Sequence, residues 1–228
     1  MNETNGDWLA LEDSLRSRFE VTSEPVSWAG HSLDILRPRS VDDLINEDEF
    51  NRDGRLPYWA DVWPSALGLA QRIADERGNG RRLLELGCAV GFVACLAVKA
   101  GFRVTATDYH PEACEFTRLN AWRNRLPVPE TRLVDWRDYP EDLRGFDLVI
   151  ASDVLYEKPY CDLVASCFAR SLAVEGLGIL TDPQRTLAAG FPAAAERAGL
   201  RLAKKTAMPV EKEGRHQVID LYELRRGR

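Results

Sequence analysis

The chain has 228 residues, 45% of them hydrophobic, with 30 basic and 36 acidic side chains and a formal net charge of −6. That length supports one substantial core, and the acidic balance argues against nucleic acid as a partner. No apolar run approaches the roughly 20 residues of a membrane helix, and the polar, acidic start Met1-Asn2-Glu3-Thr4-Asn5-Gly6-Asp7 lacks the order of a signal peptide, so a cytoplasmic protein is expected. The five cysteines, Cys88, Cys95, Cys114, Cys161 and Cys167, show no C-x-x-C spacing and read as reduced packing residues. His31, His110 and His216 are scattered, so no metal site is expected; His110, before Pro111, reads as a turn or helix start.

The elements fall into two parts. Trp8, Leu11, Leu15 and Phe19 at helical spacing predict a short amphipathic helix over residues 8–19. Residues 20–37 alternate around Ala29-Gly30 and predict a hairpin. Residues 41–50 are acidic and read as a solvated helix or loop, followed by turn chemistry at Asn51-Arg52-Asp53-Gly54. We take residues 1–56 as an N-terminal extension and 57–228 as the main domain. In the latter, a helix over 65–77 is closed by Gly78-Asn79-Gly80. Then come strand 82–86, helix 91–100, strand 102–107, helix 111–122, strands 131–134 and 146–151, helix 159–172, strand 177–181 and helix 186–198. Such alternation implies an α/β fold with a doubly wound, mostly parallel sheet. Two last strand-like runs, 200–208 and 217–224, are joined by 211–215 with no helix between them. They form an antiparallel pair that reverses one strand near an edge.

Doubly wound sheets bind ligands beyond the carboxyl ends of their strands. Four successive strands here end at or just before an acidic residue: Glu85, Asp108, Asp135 and Asp153, the last preceded by Ser152. One such carboxylate is usually a helix cap; four at one sheet edge point to a site. Asp108 lies 21 residues after Gly87, the spacing of a carboxylate that accepts ribose hydroxyls, which suits NAD and S-adenosylmethionine alike. The turn separates them. A G-x-G-x-x-G fingerprint begun at Gly87 would meet Ala89 and Phe92 where it needs glycine, and Glu85 would repel a pyrophosphate. A cationic ligand without phosphate, S-adenosylmethionine, is preferred.

Glu85-Leu86-Gly87-Cys88-Ala89-Val90-Gly91 resembles the E-x-G-x-G-x-G motif of the seven-strand class I methyltransferases, and the terminal hairpin is similar to theirs. Ala89 stands where that family usually has glycine, a change that costs little if its φ is negative. Pro57-Tyr58-Trp59-Ala60-Asp61-Val62-Trp63-Pro64, with Asp153-Val154-Leu155-Tyr156, resembles the seven-strand protein-lysine methyltransferases, most closely the branch containing the electron-transfer-flavoprotein β-subunit lysine methyltransferases. That branch more often continues W-P-G-G, where this chain has Trp63-Pro64-Ser65-Ala66. The resemblance implies a seven-stranded sheet and an S-adenosylmethionine-dependent N-methyltransferase acting on a protein lysine. It implies cofactor contacts from Trp63, Glu85, Gly87, Gly91, Asp108, Asp135, Trp136 and Ser152. From the residues themselves, Trp136 reads either as flanking the adenine, with Asp135 accepting from its amine, or as a packing residue. Tyr58 and Trp59 would bind the acceptor, with Asp153 and Tyr156 as catalytic residues. A carboxylate raises the pKa of a nearby amine, so Asp153 is cast as docking the ammonium rather than as a base. Methylation of a small amine, or a non-catalytic scaffold whose extension binds a partner, are the alternatives, since function follows the site more than the fold.

Overall fold

The computed structural model describes residues 4–44 and 57–227. Thr4 caps α1 (Asn5–Arg18) reciprocally: its side chain accepts from the Asp7 N–H while the Asp7 carboxylate accepts from the Thr4 N–H. Two otherwise orphaned donors are thereby satisfied, and the helix starts three residues before the position expected from Trp8. β1 (Val21–Trp28) and β2 (His31–Pro38) form the predicted hairpin. Ala29 and Gly30 both have positive φ, 42° and 78°, the handedness that matches strand twist in a two-residue turn. Of the acidic stretch only a short turn at Asp42–Leu44 falls within the described residues; the rest of it, and the turn expected at 51–54, lie outside them.

The main unit runs α2 (Pro64–Ala74), β3 (Arg82–Leu86), α3 (Phe92–Lys99), β4 (Arg103–Asp108), α4 (Pro111–Arg123), β5 (Glu130–Leu133), β6 (Phe146–Ser152), α5 (Tyr160–Ser171), β7 (Leu172–Asp182), α6 (Phe191–Arg197), β8 (Leu200–Lys212) and β9 (Arg215–Arg226). Its seven strands lie in the order β5-β4-β3-β6-β7-β9-β8. β3 to β7 are mutually parallel and β9 runs antiparallel to both neighbours. The winding reverses between β3 and β6, so the crevice expected of such sheets opens beyond Leu86 and Ser152.

Four elements of this unit differ from expectation, the first being α2, which ends at Ala74, three residues short of the expected close. The helix expected over 186–198 is a 3-10 turn at Thr186–Gly190 followed by α6. Pro192 sits in the first turn of α6, where its missing N–H costs nothing, and so marks a helix start. β7 begins five residues early, at Leu172, with a register shift between Phe146 and Leu148 on β6. The last hairpin is longer, because its turn is only Glu213-Gly214, with φ of 53° and 73°. Residues 211, 212 and 215 therefore join the ladder.

The pleat distributes the core. Leu83 and Ile150 face α2, α3 and α4, whereas Leu84, Leu86 and Val149 face α5 and α6. Glu85, alternating with Leu84 and Leu86, is sent to the first side. Leu15, Trp28, Ile35 and Leu36 of the extension are buried in that same cluster. Asn120 of α4 joins them: its amide oxygen accepts from Leu36 N–H at 2.8 Å, and its amide nitrogen donates to Leu36 O at 2.8 Å and Val90 O at 2.9 Å. A side chain thus stands in for a strand beside β2. No helix among the described residues is long and apolar enough to cross a membrane.

Candidate active site

After β3 the Gly87 and Cys88 N–H groups both donate to Thr107 O, at 2.8 and 2.9 Å, which folds the turn over the end of β4. A Cβ on Gly87 would stand 3.2 Å from Val154 Cγ1 and 3.6 Å from Trp136 Cζ2, so this glycine keeps the crevice open. Ala89 has φ of 52°, not the negative value under which alanine is cheap; a left-handed L-residue costs about 1–2 kcal/mol. That conformation accompanies an Ala89 N–H aimed at Asp108 Oδ2, 3.0 Å away. Gly91, expected as a ligand contact, has a packing task in this structure. A Cβ there would fall 2.6 Å from Thr117 Cα, so Gly91 lets α4 pack closely, and it lies outside the lining of the cleft.

Asp108 is buried, and its Oδ1 accepts from His110 N–H at 3.0 Å. Burial raises its pKa and these backbone donors pull it back. His110 precedes Pro111 at the start of α4, as its sequence context suggested. Glu85 is 2% exposed, and its Oε2 has no hydrogen-bond partner among the described residues. Burial first, then the Asp108 charge, pushes its pKa well above the carboxylate range. It lines a side chamber of about 310 Å³ with Trp63, Gly87, Ala89 and Ser152. Those four also border the main cleft, which encloses about 750 Å³ out to its open mouth.

Five rings form one wall of that cleft. Tyr58 meets Trp63 at 5.9 Å and Tyr156 at 5.2 Å; Tyr156 meets Tyr160 at 5.1 Å, and Tyr160 meets Trp136 at 5.3 Å, all edge to face. Trp63 is fixed by its Nε1–H donating to Tyr58 O at 2.7 Å. The long last hairpin steadies the same segment, with Lys212 Nζ donating to Asp61 Oδ1 at 3.1 Å and Val62 O at 2.6 Å. Trp59 borders the cleft from the core side, packed on Phe19, Phe116 and His110, apart from the Tyr58–Tyr156 contact. Burial raises the Tyr156 phenol far above neutral pH, so it stays protonated.

Two acidic residues are differently engaged than expected. The Asp135 carboxylate is turned to Arg137, whose backbone N–H and guanidinium donate to it at 2.7–3.1 Å; Asp135 borders the cleft but is held as the cap of a 3-10 turn. Asp153, left-handed at φ 57° and buried, already has a cation: Arg185 Nε donates to its Oδ1 at 2.7 Å. Burial raises the Asp153 pKa and Arg185 opposes that rise. Arg185 also donates its backbone N–H to Asp182 Oδ1 at 2.7 Å. Asp182 is fully buried, its Oδ2 lacks a partner among the described residues, and burial pushes its pKa up to about 6. Sequence reasoning missed Tyr160 and Arg185. Reading the fifth strand end as the first four were read would have reached Asp182 and Arg185.

The strand order with its reversed β9, and a cleft at the switch point, define the seven-strand class I methyltransferase fold. Residues 84–180 match the family model of the methyltransferase domain. Among curated proteins, the chain is 30% identical over 129 residues to the protein-lysine methyltransferase METTL21E of Mus musculus, covering 51% of this chain and 52% of that protein. It is 34% identical over 110 residues to the electron transfer flavoprotein beta subunit lysine methyltransferase of Danio rerio, covering 46% and 42%. The chain thus spans about half the length of the curated relatives it matches. The N-methyltransferase NodS from Bradyrhizobium japonicum, solved with S-adenosyl-l-homocysteine, superposes with a TM-score of 0.58 at 16% identity, covering 80% of this chain and 97% of that one. The ribosomal protein L11 methylase of Lactobacillus delbrueckii gives 0.55 at 20% identity, covering 70% and 77%. At these identities the likeness is one of fold.

Proposed function

We propose that the chain is an S-adenosylmethionine-dependent N-methyltransferase whose acceptor is a lysine side chain of a protein. The observation that carries the cofactor is Glu85, a buried carboxylate beside the glycine turn with one oxygen that has no partner among the described residues. Such a group has a large desolvation cost unless a cation meets it, and the methionine end of this cofactor is cationic. The residues present fit the group: Glu85, Ser152 and Trp63 at the methionine end, Asp108 at the ribose, Trp136 against the adenine, and Gly87 where a side chain would intrude. The bound sulfonium supplies an activated methyl group. The chain's own part is to bring a neutral nucleophile to about 3 Å and exclude water. Tyr58, Trp63 and Tyr156 wall that approach with apolar faces, and Asp153 at its end accepts from the amine. The similarity to curated protein-lysine methyltransferases supports the acceptor class.

We assign this unit to residues 57–228 and treat 1–56 as an extension. The described part of the extension supports a buttressing role, because residues 4–44 pack on α3 and α4 and none of them lines the cleft. A cytoplasmic setting is proposed with it, supported by five free cysteines. The test is incubation with S-adenosylmethionine labelled in its methyl group and a cell lysate. Label on lysine in the protein fraction supports the reading, and label confined to small molecules refutes the protein acceptor.

A further inference from the structure

The ends of β6 and β7 carry two buried carboxylates, Asp153 and Asp182, and one residue spans them. Arg185 holds Asp182 Oδ1 with its backbone N–H and Asp153 Oδ1 with Nε, both at 2.7 Å. Its side chain is 38% exposed against 4% for Asp153, and it is not among the residues lining the cleft. The guanidinium therefore reaches the acceptor carboxylate from outside the cleft. The other groups facing this pair are Tyr58 on the aromatic segment, Ser65 at the start of α2, and Asp220 on β9 behind Asp182. Asp220 is itself paired with Lys205 Nζ at 2.7 Å and accepts from Gln184 Nε2 at 3.0 Å. Arg185 is thus the cation that balances Asp153.

This matters for the nucleophile. A lysine amine has an ordinary pKa of about 10.4, and only its free base has a lone pair to give. An uncompensated buried carboxylate a few ångströms away would hold the amine as ammonium, raising its pKa by about 1–3 units. We propose that Arg185 is a positioning residue for methyl transfer: by pairing with Asp153 it cancels that carboxylate's charge, so that burial against the Tyr58, Trp63 and Tyr156 rings strips the acceptor amine of its proton and the amine is bound as the free base. The inference rests on the amine-methylation reading above. The amine releases its proton to solvent on binding. Its lone pair then forms the N–C bond as the C–S bond breaks, the bonding pair leaving on sulfur. The methylammonium product loses its extra proton to solvent. Asp153 keeps acceptor capacity for the N–H of a neutral amine, while the guanidinium never deprotonates.

The test is calorimetric titration with two probes. One is S-adenosylhomocysteine; the other is an adenosyl analogue carrying a primary aminoalkyl arm in place of the transferable methyl. Titration in buffers of different ionisation enthalpy counts protons released on binding at about pH 8, where the free arm is an ammonium. The native chain and R185K should release close to one proton per amine arm bound. R185Q should release about half a proton or fewer, since its bound arm titrates about 1–3 units higher. S-adenosylhomocysteine, which has no such arm, should bind all three proteins within about threefold. Equal proton release by the native chain and R185Q overturns the inference and leaves the cofactor reading standing. R185K behaving like R185Q, or R185Q losing S-adenosylhomocysteine as well, also overturns it. Failure of S-adenosylhomocysteine to bind the native chain overturns the cofactor reading itself, whereas failure of the amine-arm analogue alone overturns the inference.

Discussion

Replacing Glu85 by glutamine should move stability and cofactor affinity in opposite directions. The carboxyl is 2% exposed, one oxygen lacks a partner among the described residues, and burial with the Asp108 charge raises its folded pKa well above 4.5. An acid whose pKa is raised by folding holds its proton longer in the native state, so native stability falls as pH climbs from the unfolded value through the folded one. Each unit of that rise is worth about 1.4 kcal/mol, or roughly 3–6 °C in Tm for a chain of this size. Glutamine has no proton to lose. Ligand-free Glu85→Gln should therefore melt with the native protein near pH 4.5 and above it in alkaline buffer. Affinity goes the other way. A hydrogen bond to a charged partner is worth about 1.5–3 kcal/mol, so S-adenosylmethionine should bind roughly 10- to 150-fold more weakly. Thermal melts across pH and titration calorimetry measure the two effects. Native-like affinity in the variant, or an alkaline Tm below that of the native chain, refutes the assignment of Glu85 to the cofactor's cation.

Gly91→Ala forces a Cβ to 2.6 Å from Thr117 Cα at a φ of 83°. Overpacking of about 1–3 kcal/mol plus about 1–2 kcal/mol of left-handed strain should appear as lost stability in urea unfolding. Ala89→Gly relieves the strain at φ 52° and should gain roughly 0.5–1 kcal/mol after the greater unfolded-state entropy of glycine is subtracted. Asn120→Ala removes three buried hydrogen bonds to Leu36 and Val90; hydrogen exchange should show the hairpin opening before the sheet, with a cost of about 3 kcal/mol or more. Asp153→Asn tolerates the left-handed φ and should abolish methyl transfer while leaving cofactor affinity within about threefold. Undiminished turnover in it removes Asp153 from the site.

The fold was largely legible because its signals are local. β3 was read to the residue, since Leu83, Leu84 and Leu86 give it a buried-strand character that stops at Gly87, and the site residues at strand ends followed from parallel winding. What escaped was set by pairing across sequence distance. The start of β7 depends on Leu172 finding Phe146, and no property of the residues 172–176 announces it. Asp135 and Asp153 were correctly placed at the sheet edge, but Arg137 and Arg185 decide where their carboxylates point, and an arginine in a loop has no periodicity to read. Trp59 and Tyr58 are neighbours of similar character, yet a 3-10 turn at Tyr58–Ala60 sends one ring toward Phe116 and the other toward Tyr156.

Positive-φ residues such as Ala29 and Glu213 serve hairpin turns, but two others fall at the site. Ala89 and Asp153 have φ of 52° and 57°, and both border the main cleft. Such residues persist where the surroundings over-determine them. At Ala89 the constraint is the Asp108 carboxylate receiving its N–H; at Asp153 it is a backbone N–H bonded to Thr181 O at 2.9 Å and a carboxylate bonded to Arg185. In each case a strained residue is tied to a buried acid that the proposed chemistry uses. Relief of the strain at Ala89 should therefore stabilise the chain while loosening Asp108. The glycine variant is expected to bind S-adenosylmethionine more weakly even as its unfolding midpoint rises. A variant that is both more stable and tighter-binding would show that the alanine contributes nothing to the cofactor's seat.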